Sequence, residues 1–174
     1  DIALLPEVLD SSADFGRTQG LPGVADGTPI MAAIGDSHAA LFGHGAFKPG
    51  DGKVTFGTGS SIMTTLAQYI PPRNGVTTTV AWRIGGKPTF AFEGNILVCA
   101  ASLPWMADIL GLADVAALVE LAESAAPGGP GFVPAFVGLG APYWNADARA
   151  LFSQINFNTT RAQMARSVTD SIAF

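Results

Sequence analysis

The sequence predicts an α/β fold built around antiparallel hairpins, and three observations carry that prediction. Between residues 53 and 92, Thr- and Val-rich runs alternate with glycine-rich turns, the pattern of strands joined as hairpins. From residue 95 onward, apolar residues recur at helical spacing. A short apolar run at 132–137 then returns to strand character, so sheet and helices belong to one mixed architecture.

The elements follow in order. Residues 1–28 hold Pro6, Pro22-Gly23 and Asp26-Gly27, a density of turn formers that predicts loop. Residues 29–34, PIMAAI, read as a short buried strand. Asp36 stands as the N-cap of a helix beginning at Ser37, rich enough in Ala and Gly to pack closely on a neighbour or a ligand. Pro49-Gly50-Asp51-Gly52 is the clearest break in the chain. Residues 53–56 and 61–66 predict two strands joined through a tip at Gly57-Thr58-Gly59-Ser60-Ser61, and residues 77–84 and 88–92 a second hairpin turned by Gly85-Gly86-Lys87.

Ile96, Leu97, Ala100, Leu103, Met106, Ile109 and Leu110 then share helical spacing, and Gly111 ends the run. Pro104 inside it calls for a kink or a fresh start. Residues 114–124 predict a second helix, with Val115, Leu118, Val119 and Ala122 on one face. Residues 127–131 are loop, residues 132–137 a short buried strand, and residues 138–144 a second glycine-rich turn. After Ala150-Leu151-Phe152 a last helix begins near Thr160, with Met164, Val168 and Ile172 on one face.

Composition narrows the function. The 174 residues are 48% hydrophobic, enough for a real core. A formal net charge of −5, with basic residues scattered singly, argues against a nucleic-acid surface. Apolar stretches are interrupted well before the ~20 residues a membrane span needs. Cys99 is the single cysteine, so no disulfide framework or thiolate metal site is expected and the compartment reads as reducing and cytoplasmic. The opening Asp1-Ile2 has neither a basic start nor an apolar run, so no signal peptide is expected. The start without Met, and a helical pattern reaching Phe174, lead to the expectation of an internal piece of a longer chain.

Two candidate sites stand out. Asp36 reads either as a simple cap or as a base: an ionised carboxylate at a helix mouth can take the proton of a substrate hydroxyl as that oxygen attacks phosphorus. The tip Gly57-Thr58-Gly59-Ser60-Ser61 reads either as an ordinary hairpin turn or as a phosphate-holding concavity, with glycines allowing close approach and the Thr58 hydroxyl adding a hydrogen bond. No Gly-x-x-x-x-Gly-Lys-Ser/Thr motif is present, which disfavours a P-loop enzyme. Ser37 invites a rival reading as a hydrolase nucleophile. That mechanism needs a histidine base, and the two histidines, His38 and His44, share its helix. His44 lies roughly 10 Å up the axis at 1.5 Å per residue, out of reach of Ser37 Oγ. Glu93, between a strand and a helix, reads as a cap or edge residue with a ligand contact possible. Tyr143 and Trp144 read as core anchors or a stacking platform, and Thr160 as a cap rather than part of a glycosylated Asn158-Thr159-Thr160.

Five blocks, taken in order, resemble the FGGY family of carbohydrate kinases: GTPIMAAIGDSHAALFGHGAFKPG, KVTFGTGSSIMTTL, FEGN with SLPWMADILGL, FVPAFVGLGAPYWNADARALF, and the Thr-Arg helix ending in SIAF. The resemblance implies part of an actin- and Hsp70-like ATPase (ribonuclease H-like) fold. It implies transfer of the γ-phosphoryl group of ATP, with Mg²⁺, to a sugar or polyol hydroxyl. Residues 1–50 would close the first domain of such a kinase and residues 51–174 would open the second. Asp36 matches the family's catalytic base, Gly57, Thr58 and Gly59 its phosphate-contacting turn, and Pro104 falls where its helix passes the nucleotide. No residue of this chain is matched to a metal.

The departures concern the substrate. Glycerol kinases of this family follow the base with Gln, where this chain has Ser37, and place an aromatic residue where it has Ser61. A smaller, more polar wall at Ser37 and Ser61 implies a pentulose, hexulose or other polyol rather than glycerol. Pro104, Ala100 and Asn145 also differ from the usual residues. The domain bearing most sugar contacts and a metal-linked Asp lies outside these blocks, so residues 1–174 alone are expected to be inactive. The expected partner is a small molecule, with no nucleic acid or membrane, and a homodimer is open to it. The alternative of another class is a non-enzymatic actin-like nucleotide-binding module.

Overall fold

The computed structural model describes residues 2–174. After a 3₁₀ turn at Ile2–Leu4, the elements are α1 (Asp36–Gly43), β1 (Gly52–Phe56), β2 (Ser60–Leu66), β3 (Thr77–Ile84), β4 (Lys87–Ile96), α2 (Ser102–Ile109), α3 (Val115–Glu123), β5 (Gly131–Val133), β6 (Leu151–Ser153) and α4 (Arg161–Asp170). Four strands pair in the order β1-β2-β4-β3, and β5 pairs with β6. The chain forms two compact units. The first takes in the chain up to Lys53, with Met63–Arg73 and Thr77–Glu93; the second is Val54–Ile62, Asn74–Val76 and Gly94–Phe174.

In the first unit, the chain turns at Gly50 (φ +93), and Asp51 Oδ2 accepts the Lys48 amide at 2.9 Å, which sets the start of β1. The β3–β4 hairpin closes through Gly85 and Gly86, both at positive φ (57 and 75), the conformation a two-residue turn of this hand requires. Its register runs from Ile84 opposite Lys87 to Thr77 opposite Glu93, with a shift between Val80 and Trp82. That irregularity explains why two successive residues, Ala81 and Trp82, are both buried, against the strict alternation of a regular strand. They join Leu41, Ala46, Met63 and Ala91 in one core. Phe42, Phe47 and Trp82 meet edge to face at 5.0–6.2 Å.

Residues 29–34 do not form the expected strand. Only isolated bridges occur, Ser12 with Ala32 and Arg17 with Pro29, and Ile30, Met31 and Ile34 are exposed. The backbone bonds are partly made (Phe15 N–H to Ile30 O, 2.8 Å; Ile30 N–H to Gly16 O, 2.9 Å). Gly16 at φ +106 breaks the partner segment, so no ladder propagates.

In the second unit, α2, α3, α4, β5 and β6 enclose a core of Met106, Ala107, Leu118, Ala122, Phe132, Ala165 and Val168. Trp105 stacks on Phe132 at 6.0 Å, and Phe152 lies 4.5 Å from the same ring. Both later helices begin on side-chain caps. Asp114 accepts from the Ala117 amide, and Thr160 with Gln163 forms a reciprocal capping box. Thr160→Ala is accordingly expected to cost about 1 kcal/mol of stability in the intact protein, read as a lowered urea midpoint.

Several boundaries differ from those expected. β4 continues through Asn95 to Ile96, and α2 starts only at Ser102. Residues 97–101 are held in a turn instead, so the helical spacing of Ile96, Leu97 and Ala100 is coincidental. Pro104 falls in the first turn of α2, where its missing N–H costs nothing. The strand expected at 132–137 stops at Val133 because Pro134, which has no N–H for a ladder, follows. The last helix ends at Asp170 with Ser171 as its C-cap rather than running to Phe174.

Candidate active site

Asp36 is the first residue of α1 rather than its cap. Gly35 occupies the cap position in extended backbone (φ −64, ψ 147), with no side-chain cap bond. The carboxylate therefore lies in the first turn, where the free amides of a helix favour negative charge, and its Oδ1 accepts the Ser37 amide at 2.7 Å. Asp36 is exposed and Ser37 half-buried, so a hydroxyl has access to the carboxylate. His38 Nε2 lies 3.3 Å from Thr79 Oγ1, and His44 is the C-cap of α1, its amide donating to Ala40 O. Neither histidine is hydrogen-bonded to Ser37, so the arrangement has no acid–base partner for a serine nucleophile.

Gly57, Thr58 and Gly59 form a tight turn tied to the approach to α2. The Gly57 amide donates to Gly59 O at 2.9 Å, Gly57 O accepts from Ala100 N–H at 3.0 Å, and Thr58 O accepts from Cys99 N–H at 2.8 Å. The structure thus brings this turn beside the chain that leads, a few residues later, to exposed Pro104. The two glycines serve different purposes. A Cβ on Gly59 would sit 2.5 Å from Ile96 O and 3.0 Å from Leu97 O, whereas one on Gly57 would meet only Gly59 O at 3.4 Å. Gly59 is required by close backbone packing; Gly57 leaves room for an incoming group.

Ser60, at the end of the turn, lies within the candidate tip, where sequence assigns it no separate role. Its hydroxyl is buried and has no hydrogen-bond partner among the described residues. A buried orphan hydroxyl is costly, and this one sits at the end of the glycine-lined turn. Ser61 follows, half-buried in β2. Asp36 and Ser37 belong to the first unit; Gly57, Thr58, Gly59, Ser61 and Pro104 belong to the second.

Lys53 carries no signal of its own in the sequence. It is 5% exposed on β1. Burial draws its ammonium below the usual lysine range, while the Glu93 carboxylate, and after it the Asp36 carboxylate, oppose that shift. Glu93 lies inside β4, opposite Thr77, and not at the strand end expected from the sequence. Tyr143 and Trp144 are exposed rather than core anchors, and Trp144 Nε1 donates to Gly75 O at 2.6 Å. Among the described residues no group of three or more His, Cys, Asp or Glu is placed to hold a metal ion, and no helix is long and apolar enough to cross a membrane.

Residues 52–174 match the model of the FGGY family of carbohydrate kinases, C-terminal domain. The chain is 42% identical over 175 residues to a glycerol kinase of Bdellovibrio bacteriovorus, covering 98% of this chain and 35% of that protein. It is 45% identical over 173 residues to an apulose kinase of Pectobacterium atrosepticum, again covering 98% and 35%. Among solved structures, Plasmodium falciparum glycerol kinase with ADP superposes with a TM-score of 0.84 at 30% identity, covering 99% of this chain and 35% of that one. The chain therefore spans about a third (35%) of the length of the curated relatives it matches.

Proposed function

Since the chain belongs to the FGGY family of carbohydrate kinases, we propose that the protein containing it phosphorylates a sugar or polyol hydroxyl at the expense of ATP. In this reading residues 1–50 close the first kinase domain and residues 51–174 open the second, supported by a family match that begins at residue 52. When bound, ATP supplies the phosphoryl group, and Mg²⁺ neutralises the charge carried by the phosphates.

This chain's own residues supply part of what remains. Asp36 takes the proton of the attacking hydroxyl as the new oxygen–phosphorus bond forms and the bond to the ADP oxygen breaks. Gly57, Thr58 and Gly59 hold the phosphates, with Gly57 leaving space for them and the Ser60 hydroxyl available to donate. Pro104 lines the nucleotide's path, and Ser37 and Ser61 are small polar groups at positions that the family resemblance assigns to the acceptor. That last feature favours an acceptor larger or more hydroxylated than glycerol, a pentulose or hexulose among them. Cys99, a buried free thiol, supports a reducing, cytoplasmic setting.

The observation that carries the proposal is the exposed Asp36 carboxylate at the mouth of α1, held by the Ser37 amide. The test is a panel of polyols and ketoses incubated with the intact protein, ATP and Mg²⁺. Expected is ADP released one-for-one with a phosphorylated product identified by mass. Tight ATP binding with no product across the panel would instead mark a non-enzymatic nucleotide-binding module. Residues 1–174 alone are expected to give no measurable turnover, because positioning across two domains supplies most of the rate.

A further inference from the structure

The helix that carries Asp36 is short, and its first turn is lightly packed. α1 has eight residues, its cap Gly35 makes no side-chain cap bond, and its one buried residue, Leu41, lies in the second turn. Asp36 is exposed, and Ser37, His38 and Ala39 are half-buried, so apolar packing alone does not fix the direction of the first turn. A side-chain bond reaches that turn from β3: His38 Nε2 lies 3.3 Å from Thr79 Oγ1. A hydroxyl both donates and accepts, so the bond is made in either neutral tautomer of the ring. The other ring nitrogen is confined as well, since a Cβ on Gly35 would stand 3.2 Å from His38 Nδ1. The imidazole is wedged between the cap of α1 and β3.

β3 is built as a stiff seat for this helix. Thr79 stands opposite Ala91 in the ladder, Ala91 is fully buried, and a β-branched side chain has little freedom at χ1. In the last turn of α1, Phe42 meets Trp82 edge to face at 5.1 Å. His38 and Phe42 are four residues apart and share one face of the helix. Thr79 and Trp82 are three apart, and a regular strand would send them to opposite faces. The register shift between Val80 and Trp82 removes that conflict and lets both reach α1, the re-aiming that bulges supply beside active sites.

We propose that His38 is a positioning residue for phosphoryl transfer: tied to Thr79, it fixes the rotation of the first turn of α1 and with it the direction of the Asp36 carboxylate. Two residues on along a helix is about 200° around its axis, so an anchor at His38 turns Asp36 to the opposite side, where it is exposed. The role rests on the assignment of Asp36 as base.

The test is steady-state kinetics on variants of the intact protein, each checked for cooperative melting. Thr79→Val keeps the shape and strand preference of the residue and removes only the hydroxyl. Thr79→Val and His38→Ala are each expected to lower kcat about tenfold, short of the ~10²-fold that a 1 Å misplacement brings, with KM for ATP within about twofold. The double variant is expected to lose no more than His38→Ala alone, because both substitutions break one bond. His38→Gln, whose amide nitrogen takes the place of Nε2, is expected to keep kcat within about threefold of wild type. A purely structural bond would lower the melting temperature and leave kcat of the folded variants at the wild-type value; that result overturns the proposal. So does a loss in His38→Ala that Thr79→Val does not share, which would put the imidazole itself on the substrate. Asp36→Asn in the same assay separates the two claims. Lost turnover there with normal kcat in the His38 and Thr79 variants rejects His38 alone; normal turnover there removes the base, and the role of His38 with it.

Discussion

Asp36→Asn is expected to lower kcat of the intact protein about 10²- to 10⁴-fold, the range a positioned general base contributes, or roughly 2.7–5.4 kcal/mol of barrier. The substitution is chosen for what it keeps. Asn has the same shape, and its side-chain oxygen can still accept the Ser37 amide that Asp36 Oδ1 holds at 2.7 Å, so the start of α1 survives. What it removes is the proton acceptor, because an amide oxygen is far too weak a base to take a hydroxyl proton at neutral pH. The negative charge in the first helical turn is lost too, at about 0.3–1 kcal/mol of stability, visible as a small drop in melting temperature. ATP binding does not call on this carboxylate, so the nucleotide dissociation constant should stay within about threefold, or about 0.7 kcal/mol. Near-normal turnover in a variant that still melts cooperatively would remove Asp36 from the chemistry.

How far sequence reading reached depended on the range of the interactions involved. Features set by neighbours along the chain were legible: the Gly85-Gly86 turn and Thr160 as the cap of the last helix. Each is decided within four residues. The bulge between Val80 and Trp82 and the extension of β4 to Ile96 were not legible, because both depend on which strand lies alongside. Residues 97–101 mislead for the same reason. Their helical spacing is real, but the backbone of Cys99 and Ala100 is captured by Gly57 and Thr58, some forty residues earlier.

The site divides in the same way. Asp36 and the Gly-Thr-Gly turn announce themselves by residue type at a helix mouth and a hairpin tip. Lys53 was concealed, because alternation in GKVTF sets Val54 and Phe56 on one face and Lys53 with Thr55 on the other. Ordinary hydrophobic reasoning turns the first face inward, whereas the structure buries Lys53 and exposes both apolar residues. Ser60 belongs to that tip by sequence, but only its burial without a partner among the described residues singles it out.

Gly59→Ala and Gly57→Ala should part company although both add one methyl to the same turn. At Gly59 the new Cβ would lie 2.5 Å from Ile96 O and 3.0 Å from Leu97 O. Both obstacles are backbone, and neither can rotate away. The turn must therefore move off the end of β4, straining the bonds that tie Gly57 O to Ala100 and Thr58 O to Cys99. Overpacking of this kind costs about 1–3 kcal/mol, and ATP affinity should fall with it because the phosphate turn itself is displaced. At Gly57 the added methyl meets only Gly59 O, at 3.4 Å, an ordinary contact. Stability should then change by no more than about 0.5 kcal/mol, yet the methyl occupies space left for a phosphate, so KM for ATP should rise several-fold with the melting temperature unmoved. Thermal melts beside ATP titrations of the two variants check this. Equal losses of stability would mean that both glycines serve packing alone; unchanged ATP affinity in a stable Gly57→Ala protein would take the turn out of the nucleotide site.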